Sequence, residues 1–227
     1  MKKKWQMSES ITLGIWLAMA GGYMDAYSYL CRDEVFANAQ TGNMLLFGVY
    51  VTQGRWEKAF QYICPVLAFT LGIILSELVR HKWEERHKFH WRQIAVLLEA
   101  MILVVVCFVP AGSSLFANTL TSLACGIQVE SFRSIHGNGI ATTMCIGNLR
   151  SGTQNLCDYL IGRDKSKLFK SLLYFGIIIC FVIGAVWGSV MIKILHEKAI
   201  IICSILLFIV FGFMFMEEGL SRRRVGE

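Results

Sequence analysis

Charge is what this sequence has least of. Asp, Glu, Lys and Arg make up 17% of its 227 residues while 55% are hydrophobic, and the mean hydropathy is +0.53. A soluble domain of this length needs a polar shell over its core, and that shell is missing. No two of the eight cysteines form a CxxC pair, so the usual zinc and disulfide frameworks are excluded and the thiols read as small hydrophobes within apolar runs. HExxH, GxSxG and paired His/Asp arrangements are absent, so the sequence offers no enzyme chemistry, no catalytic residue, no metal site and no cofactor motif. Nor does the net charge of +6 point to nucleic acid, because no basic stripe is interleaved with exposed aromatics.

What the chain does have is long apolar runs with the charges gathered between them. A bilayer core about 30 Å thick takes roughly 20 apolar residues per helix. Ile11–Leu30, Gln61–Val79, Gln93–Pro110, Leu115–Phe132, Leu168–Ile192 and Ala199–Met216 meet or approach that length. Lys2, Lys3 and Lys4 ahead of the first run, with Ala18-Met19-Ala20 inside it, imitate a signal peptide. The run continues to Leu30, however, and reads as an uncleaved first span. The expected fold is all-α, a polytopic membrane helix bundle whose main partner is the lipid bilayer.

Two further segments are odd. Thr41–Thr52 is apolar but short, and Gly139–Leu160 carries Arg150, Asn155 and Asp158. Each contains a Gly-Asn pair, Gly42-Asn43 and Gly147-Asn148, which lie 105 positions apart. The same shift carries Gly21 onto Gly126, Asp25 onto Glu130, Tyr27 onto Phe132, and the apolar run Ile94–Pro110 onto Ala199–Phe215. The chain therefore reads as one membrane domain of two repeats, about 8–112 and 113–217, with cytoplasmic tails at 1–10 and 217–227.

Charge placement decides the span count. If both Gly-Asn segments dip in and return on one side, Arg32, Arg55, Lys58, Lys193 and Lys198 fall outside and the other 17 of 22 Lys and Arg fall inside. Letting both segments cross brings the two faces close to balance, against the positive-inside rule. Six spans are expected, three per repeat, so the repeats are inverted and each holds one short re-entrant or broken segment. Non-helical backbone at that depth is tolerated only beside protein or a watery cavity, and transporters place their sites there.

At these segments the chain resembles a known family. Gly22-Tyr-Met-Asp25-Ala26, followed by Phe36 and Thr41-Gly42-Asn43, and then Gly126-Ile-Gln128 with Thr142-Thr143 and Gly147-Asn148, are similar to the YoaK-type family of bacterial membrane proteins, a domain of unknown function. The resemblance covers essentially the whole chain. It implies a multi-span fold in the bacterial cytoplasmic (inner) membrane and no particular substrate. Two positions depart from the family pattern: Glu130 replaces an amide, and Ile146 replaces the second threonine.

The candidate binding residues are Asp25, Thr41, Gly42, Asn43, Glu130, Thr143, Gly147 and Asn148. Asp25 and Glu130 are acids in apolar helices, suited to proton or cation coupling. The blander alternative puts them at wetted helix ends, with Glu130 paired to Arg133. Thr41 and Asn43 suit a helix start that would aim unpaired N–H groups at a small polar or anionic solute; the alternative there is a simple cap with a packing glycine. Glu99 either joins a proton path or faces the bundle interior. His81, His87 and His90, near Glu84 and Glu85, read as a solvated basic loop, and Trp56, Trp83 and Trp91 as interfacial anchors. Two functions are expected to compete: a small secondary permease, possible as a homo-oligomer, and a membrane scaffold with no transport.

Overall fold

The computed structural model describes residues 10–83, 91–135 and 137–225, which are nearly all helical. Helix α1 spans Ile11–Cys31, α2 Gln40–Thr52, α3 Trp56–Trp83 and α4 Trp91–Cys107. Helix α5 spans Ser114–Ser131, α6 Cys145–Gly162, α7 Lys165–Leu195 and α8 Ile200–Val225. Lys2–Lys4, Glu84, Glu85, His87 and His90 lie outside the described residues.

The helix ends follow from local chemistry. Ser10 caps α1, its hydroxyl accepting the Leu13 N–H at 3.1 Å. Asp164 caps α7, and the Ser166 hydroxyl and N–H that bond its carboxylate hold that exposed acid below the usual carboxylate range. Helix α1 stops where Asp33 and Glu34 turn left-handed, at φ 62° and 59°. One piece of the apolar stretch Gly139–Leu160 is not helical. Ser134–Ile135 and Asn138–Gly139 pair antiparallel around Gly137, whose φ of 71° suits a tight turn, and α6 begins only at Cys145.

The helices pair across the chain rather than along it. Helix α1 packs on α7, α3 on α5 and α4 on α8, while α2 lies on α3 and α6 on α7. Glycines set the two closest crossings. A Cβ at Gly22 would strike the Phe181 carbonyl and one at Gly184 the Met19 carbonyl, so α1 and α7 meet backbone to backbone. Gly72 against Leu123 and Gly126 against Phe69 do the same for α3 and α5. Small residues of this kind let membrane helices approach closely enough for dispersion to hold them.

Side-chain contacts fix the directions. Gly14 lies beside Ile177 and Tyr23 beside Gly188, so α1 and α7 run the same way. So do α3 and α5, where Phe69 meets Gly126 and the Ser76 and Ser131 hydroxyls bond at 2.9 Å. Helices α1 and α5 are opposed, because Gln128 bonds Leu17 O at 3.0 Å and Asn118 bonds Arg32 O at 2.5 Å. Helices α4 and α8 are opposed too, Gln93 reaching Met214 O at 3.2 Å and Cys107 reaching Lys198 O at 3.8 Å.

Helix α2 enters and leaves at one end of the bundle. The Gln61 amide donates to Asp33 O at 2.9 Å, so α3 sets out where α1 finishes. Between them the chain turns back along α1, and α2 starts beside its middle, then returns until Tyr50 stacks on Tyr62 at 5.5 Å. At 13 residues it is about 20 Å long, too short to cross a bilayer. Arg32, Arg55, Lys58, Lys193 and Lys198 all gather at this same end, where Tyr27 also bonds Glu197 O at 3.0 Å.

Outside and inside are both apolar. Tyr23, Val96, Leu103, Val106, Ala124, Leu207 and Val210 fill a core between α1, α4, α5 and α8. Outward, α3 exposes Leu67, Leu71, Ile74 and Leu78, and α7 exposes Leu172, Ile179, Val182, Val186, Val190 and Ile194. Helices apolar on both sides belong in lipid. The stretches Trp56–Lys82 and Lys165–Phe215 are long and apolar enough to cross a membrane.

Candidate functional site

The turn-back between α1 and α2 has no helical or strand ladder, so side chains must meet its backbone groups. Asp25, on α1, accepts the Asn38 N–H at 2.7 Å. Ser28, one turn on, accepts the Ala37 N–H at 3.0 Å, and the Asn38 amide donates to Gly21 O at 3.1 Å. Asp25 therefore places its carboxylate at the start of α2, where the unpaired N–H groups and the positive end of the helix dipole point.

Asn43 closes the loop from the other side. Its Oδ1 accepts the Phe36 N–H at 3.1 Å, and its Nδ2 donates to Phe36 O at 2.7 Å and Gln40 Oε1 at 2.8 Å. Asn148 does the corresponding work before α6, donating to Ala141 O at 2.6 Å across the same seven-residue reach. Both asparagines are buried, at 0% and 2% exposure, and hold loops. Neither Thr41 nor Asn43 acts as the cap expected from the sequence: Ala39 stands at the cap position of α2, without a side-chain bond. Asn43→Ala should cost about 2–3 kcal/mol and Asn148→Ala about 1 kcal/mol, in proportion to the bonds each forms. Thermal unfolding of the purified protein in detergent measures both, and equal losses would contradict this ordering.

The other candidates divide. Thr143 is buried against Gly21 with its hydroxyl unpartnered, which brings it to the Asp25 side of the bundle. Cys145, the first residue of α6, lies within electrostatic reach of Asp25. Both short helices therefore start near one carboxylate, and α6, like α2, has no side-chain cap bond. Gly42 packs on the Phe36 ring, which explains it structurally, whereas a Cβ at Gly147 would meet nothing within 4 Å. Thr41 is exposed. Glu130 stands apart at the opposite end of the bundle, bonded to Arg133 at 3.1 Å beside the Glu77–Arg80 pair.

Two polar residues at this site were not among the candidates. Asn38 is 3% exposed with its Oδ1 unpartnered. Gln128 bonds Leu17 O and the Thr142 hydroxyl, at 3.0 and 3.1 Å, and its Oε1 is unpartnered. The signal was available for the first: Asn38 and Thr143 are themselves 105 positions apart, so the repeat alignment carried back from the Gly-Asn pairs reaches both.

Comparison with known proteins agrees with the resemblance read from the sequence. The family model described as "Protein of unknown function (DUF1275)" matches residues 13–213. The "UPF0700 transmembrane protein YoaK" of Bacillus subtilis (strain 168) is 27% identical over 179 residues, covering 75% of this chain and 78% of that protein. No solved structure matches.

Proposed function

The chain belongs to the DUF1275 family, and on that premise we propose a small secondary permease for a small polar or anionic solute, with Asp25 as its coupling group. The observation that carries the reading is the Asp25 carboxylate bonded at 2.7 Å to the start of a re-entrant helix inside an apolar bundle. An acid so placed is a functional candidate by default. Around it stand Asn38 Oδ1 and Thr143 Oγ1, buried polar atoms with no protein partner, which a solute can satisfy.

The architecture favours transport through inverted repeats. Helices α1 and α5, and α4 and α8, occupy matching places in the two halves and run oppositely. The Asn43–Phe36 and Asn148–Ala141 bonds match at the 105-residue shift. Gathering of the five lesser cations at one end supports six spans with both chain termini in the cytoplasm of a bacterial inner membrane.

In this reading, Asp25 itself fills the anion place at α2. An anionic solute can approach only when that charge is neutralised by a proton or cation, because like charges at close range in low dielectric repel strongly. Protonation also weakens the Asn38 bond and frees the turn-back segment to move. Solute entry and proton uptake are thereby linked at one side chain.

The test uses proteoliposomes screened with small anions and amino acids under an imposed pH gradient. Gradient-driven uptake should fall about tenfold or more in Asp25→Asn, equivalent to ~1.4 kcal/mol or more, with the unfolding midpoint nearly kept. Unchanged uptake in that variant removes Asp25 from the mechanism. Absence of flux for every class screened favours a membrane scaffold.

A further inference from the structure

The permease reading uses one buried acid, and the bundle holds a second. Glu99, in the middle of α4, is 0% exposed and neither carboxylate oxygen has a hydrogen-bond partner. Among the described residues no Lys, Arg or His pairs with it. The titratable groups that face it are thiols, Cys125 from α5 and Cys203 from α8. No charged group from α3 or from the His196–Ala199 turn, which also pack on α4, acts on it. Cys125 is also within electrostatic reach of Asp25 on α1, but Asp25 does not act on Glu99 itself.

A bare carboxylate in such surroundings is strongly disfavoured, and an uncharged carboxyl still wants hydrogen-bond partners. Those partners are suggested by α5. Asn118, Ser122, Cys125 and Gln128 are buried along it at spacings of four, three and three residues, which is one stripe of a helix. Asn118 Oδ1, Ser122 Oγ and Gln128 Oε1 are all unpartnered. The stripe runs from Arg32, whose carbonyl takes the Asn118 amide at 2.5 Å, to Leu17, whose carbonyl takes the Gln128 amide at 3.0 Å. Rows of buried polar atoms without protein partners are met by ordered water.

We propose that Glu99 is a proton-binding site, reached through water along this stripe of α5. The ligand is a proton, and the residue is a second seat for the coupling ion. The proposal deepens the permease reading but its test requires no solute, so either can fail while the other stands.

Infrared difference spectroscopy of the full chain in liposomes reads the carboxylic-acid C=O band directly. A band lost in Glu99→Gln should disappear from wild type as the pH is raised and return when it is lowered. It should shift within minutes of transfer to deuterium oxide, and Ser122→Val should slow that shift at least severalfold by blocking the stripe. In Asp25→Asn the band and its pH of loss should be kept, which assigns the titration to Glu99 rather than to Asp25. A residue with only a packing role gives no pH-linked change. The proposal is overturned if no band is lost in Glu99→Gln, if sodium at constant pH removes the band, or if deuterium fails to enter over hours. It is overturned equally if the titrating band vanishes in Asp25→Asn. Should Glu99→Gln not fold, Glu99→Asp takes its place: a titrating band that keeps its wild-type frequency in that variant overturns the proposal.

Discussion

Gly22→Ala, Gly184→Ala and Gly126→Ala should each lower the stability of the protein by about 3 kcal/mol or more, the upper range for forcing atoms into a filled interior. The added methyl at these positions meets backbone of the facing helix: Phe181, Met19 and Phe69 respectively. A side chain can rotate away from an intruding methyl, whereas a carbonyl in a helix can retreat only if the whole helix moves. Separation also loosens every other contact along the α1–α7 or α3–α5 crossing. Ordinary propensity works the other way, since Ala favours a helix over Gly by about 1 kcal/mol, and packing must exceed that. Gly176 and Gly212 are the controls, having nothing within 4 Å of an added Cβ. Their Ala variants should be neutral or slightly stabilised. Unfolding midpoints in detergent separate the groups, at roughly 2–4 °C per kcal/mol for a chain of this size. If all five variants behave alike, backbone-to-backbone contact does not hold the crossings.

The second large effect is expected at Arg32. This arginine is fully buried, has no carboxylate partner among the described residues, and donates from each of its three guanidinium nitrogens to an oxygen instead. Nε bonds the Tyr27 hydroxyl, and Nη1 and Nη2 bond the carbonyls of Pro110 and Val109, each at 2.9 Å. Those carbonyls follow the C-terminus of α4, where a cation also complements the helix dipole. Arg32→Met removes the cost of burying a charge but leaves two carbonyl oxygens dry and one hydroxyl short of a donor. Unmet buried acceptors cost about 1–3 kcal/mol each, so the losses win and a net destabilisation of about 2–4 kcal/mol is expected. Arg32→Lys should recover only part, because a single ammonium cannot span three acceptors held in a planar fork. The same unfolding assay applies; a variant as stable as wild type would mean that burial of the charge outweighs its bonds.

Much of the fold was legible because membrane helices announce themselves by length and composition. The apolar run Ile11–Leu30 became α1 almost residue for residue, and Thr41–Thr52 became α2. The short hairpin of Ser134–Ile135 and Asn138–Gly139 was not, since two-residue strands carry no alternation to read, and the stretch read from Gly139 becomes helix only at Cys145. At the site, Asp25 was legible as an acid in an apolar helix. Asn43 and Asn148 were legible as special but not in their roles, because a loop carbonyl seven residues upstream is not visible in local spacing. Arg32 read only as one of five cations on the outer face. Its burial depends on α4 and α5 arriving from far along the chain, which no local pattern encodes.

The crossed pairing of helices also sets a timetable. Helix α1 leaves the ribosome with its Gly22 face bare, and its partner at Gly184 follows roughly 160 residues later, about 10–30 s at bacterial and eukaryotic elongation rates. Throughout that interval α1 sits in the bilayer or at the insertion machinery without the helix that will cover it. Helix α3 waits a shorter time for α5. Neither half of the chain can bury its own glycine seams, so a polypeptide stopped after α4 is an orphan rather than half a protein. Two halves made as separate chains would have to find each other in the membrane before either could mature.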